Sequence, residues 1–406
     1  MSSAKPCEPS SVHTRLIWAL CLASIVIYVN LYTLQGMLPL IADHFVVTGA
    51  KATLILSVTS FSLAFSLLVF AVISDRVGRL WPILASLWLL VASNLLLAFC
   101  QDFEALVAVR LLQGVLLAAV PAIAMAYFKE QLPVAFMLKA AAVYIMANSL
   151  GGIFGRLFGG MMSQHLDWQQ SMWLMFSVTF VGVTVVSYLL PRKETRADKQ
   201  ETAVLEKMKQ DIRGFVGHLS DQQMRLVYFI GGIAFMMMVN QFSFIQLHLM
   251  ESPYSLSRFA ATLIFLCYLS GTASSYLSAK LIVKYGSLLL FKVALLLMVL
   301  GTLMTLHDTL ITIVLGFLVT ASGFFLSHSC CNSFVAIRAT KHRAKATSLY
   351  LCSYYLGAAL GGPYLMLFWQ QAHWNGVVVG SMLLMLVLFI TLWRLDKVQQ
   401  RDKLAH

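Results

Sequence analysis

Apolar residues in this chain gather in long runs with short polar interruptions. The runs recur twelve times, centred near residues 29, 62, 90, 116, 150, 180, 238, 269, 297, 321, 356 and 384. The first extends from Leu16 to about Ala42, and ~25 residues at ~1.5 Å each exceed the ~30 Å hydrocarbon core of a bilayer. Residues 1–15 are polar and no small-residue cleavage site follows the run, so it reads as a retained first span and not as a signal peptide. Several runs are interrupted by Ser, Thr, Gly and Asn, residues that suit helices packed on other helices or lining a wet path. The pattern predicts an all-α polytopic membrane protein with twelve transmembrane helices.

The longest polar stretch, from Arg192 to about Arg225, divides the chain near its middle. The expected organisation is an N-terminal tail over 1–15, a six-helix half over 16–191, a linker over 192–225, a second six-helix half over 226–395 and a tail over 396–406. Within the linker, the segment from Thr202 to Ile212 predicts a short surface helix.

The halves repeat. Residues 139–168 shifted by 206 fall on 345–374, and Lys139, Ala140, Tyr144, Leu150, Gly151, Gly155, Gln164 and Trp168 meet Lys345, Ala346, Tyr350, Leu356, Gly357, Gly361, Gln370 and Trp374. The fifth and eleventh spans are therefore equivalent. Parallel six-span repeats are a transporter plan that places the solute site between the halves near the midplane.

Composition agrees: 59% of residues are hydrophobic and 11% charged, against roughly a quarter charged in ordinary globular proteins. The net charge of +12 does not mark a nucleic-acid protein, because the basic residues sit in short loops between apolar runs. With the N-terminus in the cytoplasm, 25 of the 29 Lys and Arg fall on that side, only Lys51 and Arg258 fall opposite, and Arg110 and Arg156 lie within spans. That asymmetry predicts both termini inside. The seven cysteines show no paired spacing and no Cys/His cluster, which supports neither a disulfide framework nor a metal site. Cys21, Cys267, Cys330, Cys331 and Cys352 read as small buried residues, and no cofactor is expected.

Three motifs carry chemistry. After the second span stands Ala71-Val-Ile-Ser-Asp75-Arg76-Val-Gly78-Arg79, with a degenerate counterpart at Val283-Lys284-Tyr285-Gly286-Ser287. A glycine can make the tight turn, arginines face the anionic leaflet, and Asp75 can meet a helix N-terminus, for which the start of the eleventh span near Lys345 is the matching edge. The fourth span holds Arg110, Gln113 and Gly114. The fifth holds Gly151-Gly-Ile-Phe-Gly155-Arg156-Leu-Phe-Gly159-Gly160.

The first motif resembles the G-x-L-x-D-R-x-G-R signature of the major facilitator superfamily, and the second resembles the R-x-x-x-G pattern of that family's fourth helix. The third looks like the antiporter motif G-x-x-x-G-P-x-x-G-G, with Arg156 in the proline position. Together with Asn148-Ser-Leu-Gly-Gly, Ser322-Gly-Phe-Phe-Leu-Ser-His328-Ser, Ala346-Thr-Ser-Leu-Tyr350 and Trp374-Asn-Gly376, they are similar to the bacterial YnfM-type inner-membrane transport proteins, neighbours of the twelve-span drug:proton antiporters. The resemblance implies a major facilitator fold of two pseudo-symmetric halves and alternating access, with a monomer as the expected unit. It implies efflux of a small organic solute, with protons as the candidate coupling ion. It also implies that Gly151, Gly155 and Gly159 meet the small-residue strip Ser270/Ser274/Ser278 beside Gly271/Ser275/Ala279 of the eighth span, across the interface. A solute uptake carrier and a transporter-like sensor are the alternative readings.

One departure stands out. Many drug:proton antiporters carry an aspartate four residues before the first-span proline; here Gln35 precedes Pro39 at that spacing. All seventeen acidic residues lie in tails, loops or helix ends, with Asp43 and Glu251 nearest the membrane. No intramembrane nucleophile with a base or paired acids is present, which argues against an enzyme. The polar outliers within spans are Arg110, Arg156 and His328. Arg110 is expected to hydrogen-bond neighbouring helices beside Gln35. Arg156 is expected to bridge the halves, to snorkel to the outer surface or to meet an anionic solute. His328 reads as a satisfied core histidine or as a titrating or ligand-contacting one. Tyr350, Tyr354 and Tyr355 read as packing, with Tyr354, the repeat equivalent of Asn148, the better cavity residue. Gln35, Asn148, Arg156, His328 and Tyr354 are the candidate substrate or proton site.

Overall fold

The computed structural model describes residues 11–191, 204–307 and 309–404. Most of the expected N-terminal tail, the first part of the linker and the last two residues of the C-terminal tail lie outside the described residues. Eleven described helices are long and apolar enough to cross a membrane, and the last, Arg343–Asp402, breaks at Ala372 and His373, giving twelve crossings. The described ends, near residues 11 and 404, therefore share one face of the bundle, called here the terminus face; the opposite one is the far face.

The first span, Ser11–Gly36, breaks at Met37 and resumes as Leu38–His44. Pro39 sits in the first turn of that second piece, where its missing N–H costs nothing. The second span, Leu54–Val77, follows a short far-face turn at Gly49–Ala52, and the third is Leu80–Ala98. The fourth is Phe103–Leu117 continued by Ala119–Gln131, the fifth Val134–His165 and the sixth Trp168–Leu189. The linker forms a helix, Val204–Ser220, longer than the one expected over 202–212. The seventh span is Gln222–Met250. The eighth runs Arg258–Thr262, a 3-10 turn Leu263–Cys267 and Tyr268–Tyr285. The ninth is Ser287–Met304 and the tenth Leu310–Arg338. Residues 343–371 and 374–404 are the eleventh and twelfth, joined by the break alone.

Caps explain why the acids sit at helix ends. Asp102, Asp167 and Asp221 each accept a backbone N–H in the first turn of the fourth, sixth and seventh spans. The turns between the second and third and the eighth and ninth spans both use a glycine at positive φ, Gly78 at 88° and Gly286 at 78°. The degenerate second copy of the loop thus keeps its turn.

The sequence repeat is a repeat of packing. A Cβ on Gly151 or Gly155 would approach Ile25 or Val29 of the first span, and one on Gly357 or Gly361 would strike Gly232 or Met236 of the seventh. Close backbone approach at an (i, i+4) pair of glycines fixes each of these helix pairs. At the far face, His44 stacks on Trp168 at 5.7 Å and His248 on Trp374 at 5.9 Å.

The expected pairing of the fifth-span glycines with the eighth-span strip does not occur. Gly151, Gly155 and Gly159 face Ile25, Val29 and Thr33 of the first span. The eighth-span strip faces the tenth: Ser270 and Ser274 donate to the carbonyls of Leu318 and Ser322, both at 2.9 Å, and Gly271 accommodates Phe325. Both strips serve packing inside their own halves; of the motif's glycines, Gly160 is the one set against the eighth span, at Thr262.

Candidate functional site

Arg156 lies four residues past the middle of the crossing Lys139–His165, ~6 Å toward the far face. It is 2% exposed, so it does not snorkel. Its Nε donates to Gln35 Oε1 at 2.8 Å and its Nη1 to the Gly152 carbonyl at 2.9 Å. Its guanidinium carbon lies 3.7 Å from the Tyr32 ring centroid, 4.6 Å from Tyr268 and 5.2 Å from Phe265. Tyr32 belongs to the first half and Phe265 and Tyr268 to the second, so the cation is wedged between the halves. Gln35 completes the crossing by donating through Nε2 to Ser243 Oγ at 2.8 Å and to the Val239 carbonyl at 3.1 Å.

Further inter-half contacts lie beside or beyond this level toward the far face. Gln246 Nε2 donates to the Gly36 carbonyl at 3.1 Å. Arg258 pairs with Asp43 and also donates to the Ser163 carbonyl at 2.9 Å. Gly362 of the eleventh span lies against Ser57 of the second. A pocket of about 420 Å³ opens at this end, lined among others by Asp43, Thr48, Leu247, Glu251, Trp369 and His373.

Arg110 hydrogen-bonds the neighbouring first span as expected, but not beside Gln35. It is fully buried, and it donates to the carbonyls of Asn30 at 3.3 Å and Leu31 at 3.1 Å and to Gln113 Oε1 at 2.7 Å. It does not meet Gln35, whose amide is turned toward the seventh span. Gln113 in turn donates to Ser93 Oγ at 3.0 Å and Asn94 Oδ1 at 2.8 Å. Gly114 leaves room for Thr59 and Ser62. The fourth-helix motif is thus a polar knot inside the first half.

His328 and Tyr354 meet on the second half, with ring centroids 4.8 Å apart. Asn332 Nδ2 lies 3.0 Å from both His328 Nε2 and the His328 carbonyl. Because the amide nitrogen donates to that carbonyl, it also donates to Nε2, which places the ring proton on Nδ1, 2.7 Å from the Tyr350 hydroxyl. Asn148 accepts a hydrogen bond from Ser24 of the first span. The candidate residues therefore separate into Gln35 with Arg156, His328 with Tyr354, and Asn148 with Ser24.

Tyr28 and Tyr32, not singled out in the sequence, link the first two groups through Tyr355. Tyr32 stacks on Tyr28 at 6.2 Å, and the Tyr28 hydroxyl lies 3.3 Å from that of Tyr355. Tyr355 meets Tyr354 edge-on at 5.3 Å, and Tyr354 stacks on Phe235 at 3.7 Å. A continuous aromatic path thus joins Arg156 to His328 across both halves. Its available signal was spacing: Tyr28 and Tyr32 are one helical turn apart, and Tyr32 is three residues before Gln35.

The loop motif forms a separate site at the terminus face. Arg79 Nη1 pairs with Asp75 at 2.6 Å and Nη2 with Glu130 of the fourth span at 2.6 Å. Burial lowers the Arg79 pKa, but the bonds and charges of Glu130 and Asp75 more than offset it, so the guanidinium stands above its ordinary value. Asp75 is thereby paired within its own half; the expected meeting with a helix N-terminus is not what the structure shows. The start of the eleventh span carries the linker helix instead, with Lys345 5.8 Å from the Phe215 ring centroid.

Comparison with known proteins agrees with this architecture. The family model described as Major Facilitator Superfamily matches residues 20–362. The chain is 32% identical to the uncharacterized MFS-type transporter YybF of Bacillus subtilis (strain 168) over 97% of this chain and 96% of that one. It is 33% identical to the inner membrane transport protein YnfM of Escherichia coli (strain K12), covering 94% and 91%. The nucleoside transporter NupG superposes with a TM-score of 0.74 at 12% identity, covering 94% of this chain and 100% of the other. The human organic anion transporter MFSD10 gives 0.70 at 19% identity, covering 95% and 100%. With a twelve-crossing bundle, a duplicated packing scheme and a family match across most of its length, the chain belongs to the Major Facilitator Superfamily and is a multi-pass membrane transporter.

Proposed function

We propose that this transporter is a secondary active carrier that moves a small organic solute across the bacterial inner membrane by alternating access, as an efflux antiporter with protons as the coupling ion. One observation carries the reading. Polar contacts between the halves are few, centred at and beyond Arg156 with the Tyr28–Tyr355 hydroxyl pair about one turn to the other side, whereas each half is tied internally by buried networks such as Arg110–Gln113–Asn94. Halves that are each rigid and jointly separable are what rocking about a central site requires.

The basic bias of the loops favours a cytoplasmic terminus face, which makes this conformation closed to the outside. Export is the reading suggested by the resemblance of the segment Gly151–Gly160 to an antiporter motif. Among the described residues no Asp or Glu is buried, so a proton would have to travel by a route other than a membrane carboxylate. The test is a screen of small organic solutes in proteoliposomes, by counterflow and then under an imposed proton gradient. Solute exchange that accelerates with the gradient supports the whole reading. Exchange that ignores the gradient removes proton coupling, and no exchange of any solute removes transport.

A further inference from the structure

We propose that the interface binds an organic anion, with its carboxylate seated on Arg156 and the Tyr268 hydroxyl and its aromatic body on the tyrosine path toward His328. The proposal rests on the transport reading and names the solute class for it.

Charge gives the sign. Arg156 is 2% exposed and Arg110 fully buried, while no described Asp or Glu is buried. Arg110 lies in a knot of carbonyls and amides away from the interface. Arg156 lies at the interface with three neutral acceptors, Gln35 Oε1, the Gly152 carbonyl and the Tyr32 hydroxyl, for a group with five N–H donors. Aromatic faces at 3.7 and 4.6 Å stabilise a cation but do not neutralise it. A buried charge in a membrane is held by a counter-charge, by backbone carbonyls or by a wet cavity; neutral acceptors leave the Arg156 charge without a counter-ion, which a solute anion at the interface would supply.

A second observation marks the place. The Tyr268 hydroxyl is buried without a hydrogen-bond partner, on a residue only 6% exposed whose ring flanks the Arg156 guanidinium. An unpaired buried hydroxyl costs free energy until it meets a polar atom. A carboxylate can accept from guanidinium and phenol together, satisfying both deficits. Beside it, Tyr32, Tyr28, Tyr355, Tyr354 and His328 continue as ring faces across the interface. A planar aromatic body suits such a surface better than a polyhydroxylated one.

The test uses three solutes with one ring system: 2-naphthoate, 2-naphthamide and 2-naphthylmethylammonium. Binding to the full-length protein in nanodiscs is measured by titration calorimetry and thermal shift, and exchange by counterflow in proteoliposomes. Naphthoate is expected to bind and exchange in preference to the other two. Arg156→Gln should weaken naphthoate by about 10- to 100-fold, and Tyr268→Phe by about 2- to 10-fold. Arg156→Lys should retain part of the affinity, because it keeps the charge but loses the fork. It also carries the test if Arg156→Gln does not fold. Equal or better binding of the amide or the ammonium, no binding of naphthoate, or full naphthoate affinity in a folded Arg156→Gln protein would overturn the proposal. If the neutral or cationic compound exchanges while the anion does not, transport stands and the anion class falls. If none exchanges in this assay or in the wider screen, the transport reading itself falls.

Discussion

Trp168 and Trp374 hold equivalent positions in the two halves. The indole of Trp168 donates to the Leu97 carbonyl at 3.1 Å, and that of Trp374 donates to the Thr305 carbonyl at 3.2 Å. Each ties the start of the last helix of its half to the far end of the third. Trp168→Phe and Trp374→Phe should each cost about 1 kcal/mol, and the double variant about the sum, because distant sites add. Thermal unfolding of the three variants checks this. Strong non-additivity would mean that the halves are not independent units.

Orientation can be read by reporter fusion. Fusions after Arg192 and after His406 should score cytoplasmic, and fusions near Thr48 and His307 periplasmic. A periplasmic score after Arg192 reverses the assignment of the faces, and with it the statement that the closed end points outward.

The pair Asp43–Arg258 is half open to water, with 65% and 30% of the side chains exposed, so its strength is that of a surface ion pair. Arg258→Gln should favour opening of the far face by at most about fivefold, equivalent to ~1 kcal/mol. A cysteine placed at Ser243, in an otherwise cysteine-free protein, should then react faster with an impermeant reagent added from that face. Unchanged reactivity would show that the pair does not help to hold the face shut.

Asp75 and Glu130 share Arg79 far from the aromatic path. Asp75→Asn should slow transport while leaving solute affinity within about a few-fold, since a partly exposed pair of this kind contributes on the order of 1 kcal/mol to one state of the cycle. Glu130→Gln should act in the same direction, and the double variant should be less than additive because one guanidinium serves both. Lost binding with normal cycling would place the motif in the solute site instead.

His328 has both ring nitrogens engaged and its face against Tyr354. His328→Gln should lower solute affinity by about 2- to 10-fold through the lost ring contact, with the pH dependence of flux unchanged. A shifted pH profile would show that the ring exchanges its proton during the cycle.

Span number, tight turns and the duplicated pattern were legible in the sequence because hydropathy and glycine report them directly. The partners of small residues were not. A strip of glycines looks the same whether it admits the first span, as Gly155 does with Val29, or the eighth, as Gly160 does with Thr262. Lipid supplies no polar contrast between the faces to decide. The same ambiguity hid Tyr28 and Tyr32, aromatic residues in an apolar run, and it misplaced Gln35 beside Arg110. The isolation of Arg156 was visible, because acids can be counted along a chain; the hydroxyl of Tyr268 beside it was not, because its neighbours come from three other helices.

An uncompensated guanidinium at the rocking interface also sets how the carrier meets the membrane voltage. Moving one elementary charge through the whole field costs ~2.3 kcal/mol per 100 mV. In the proposed alternating-access cycle the region of steep potential would sweep past Arg156, so the anion-free protein would behave as though a positive charge had crossed part of the field. A monoanion seated there cancels that charge. In the proposed cycle the anion-free step then carries this charge through part of the field, and the anion-loaded step is electrically silent at this site.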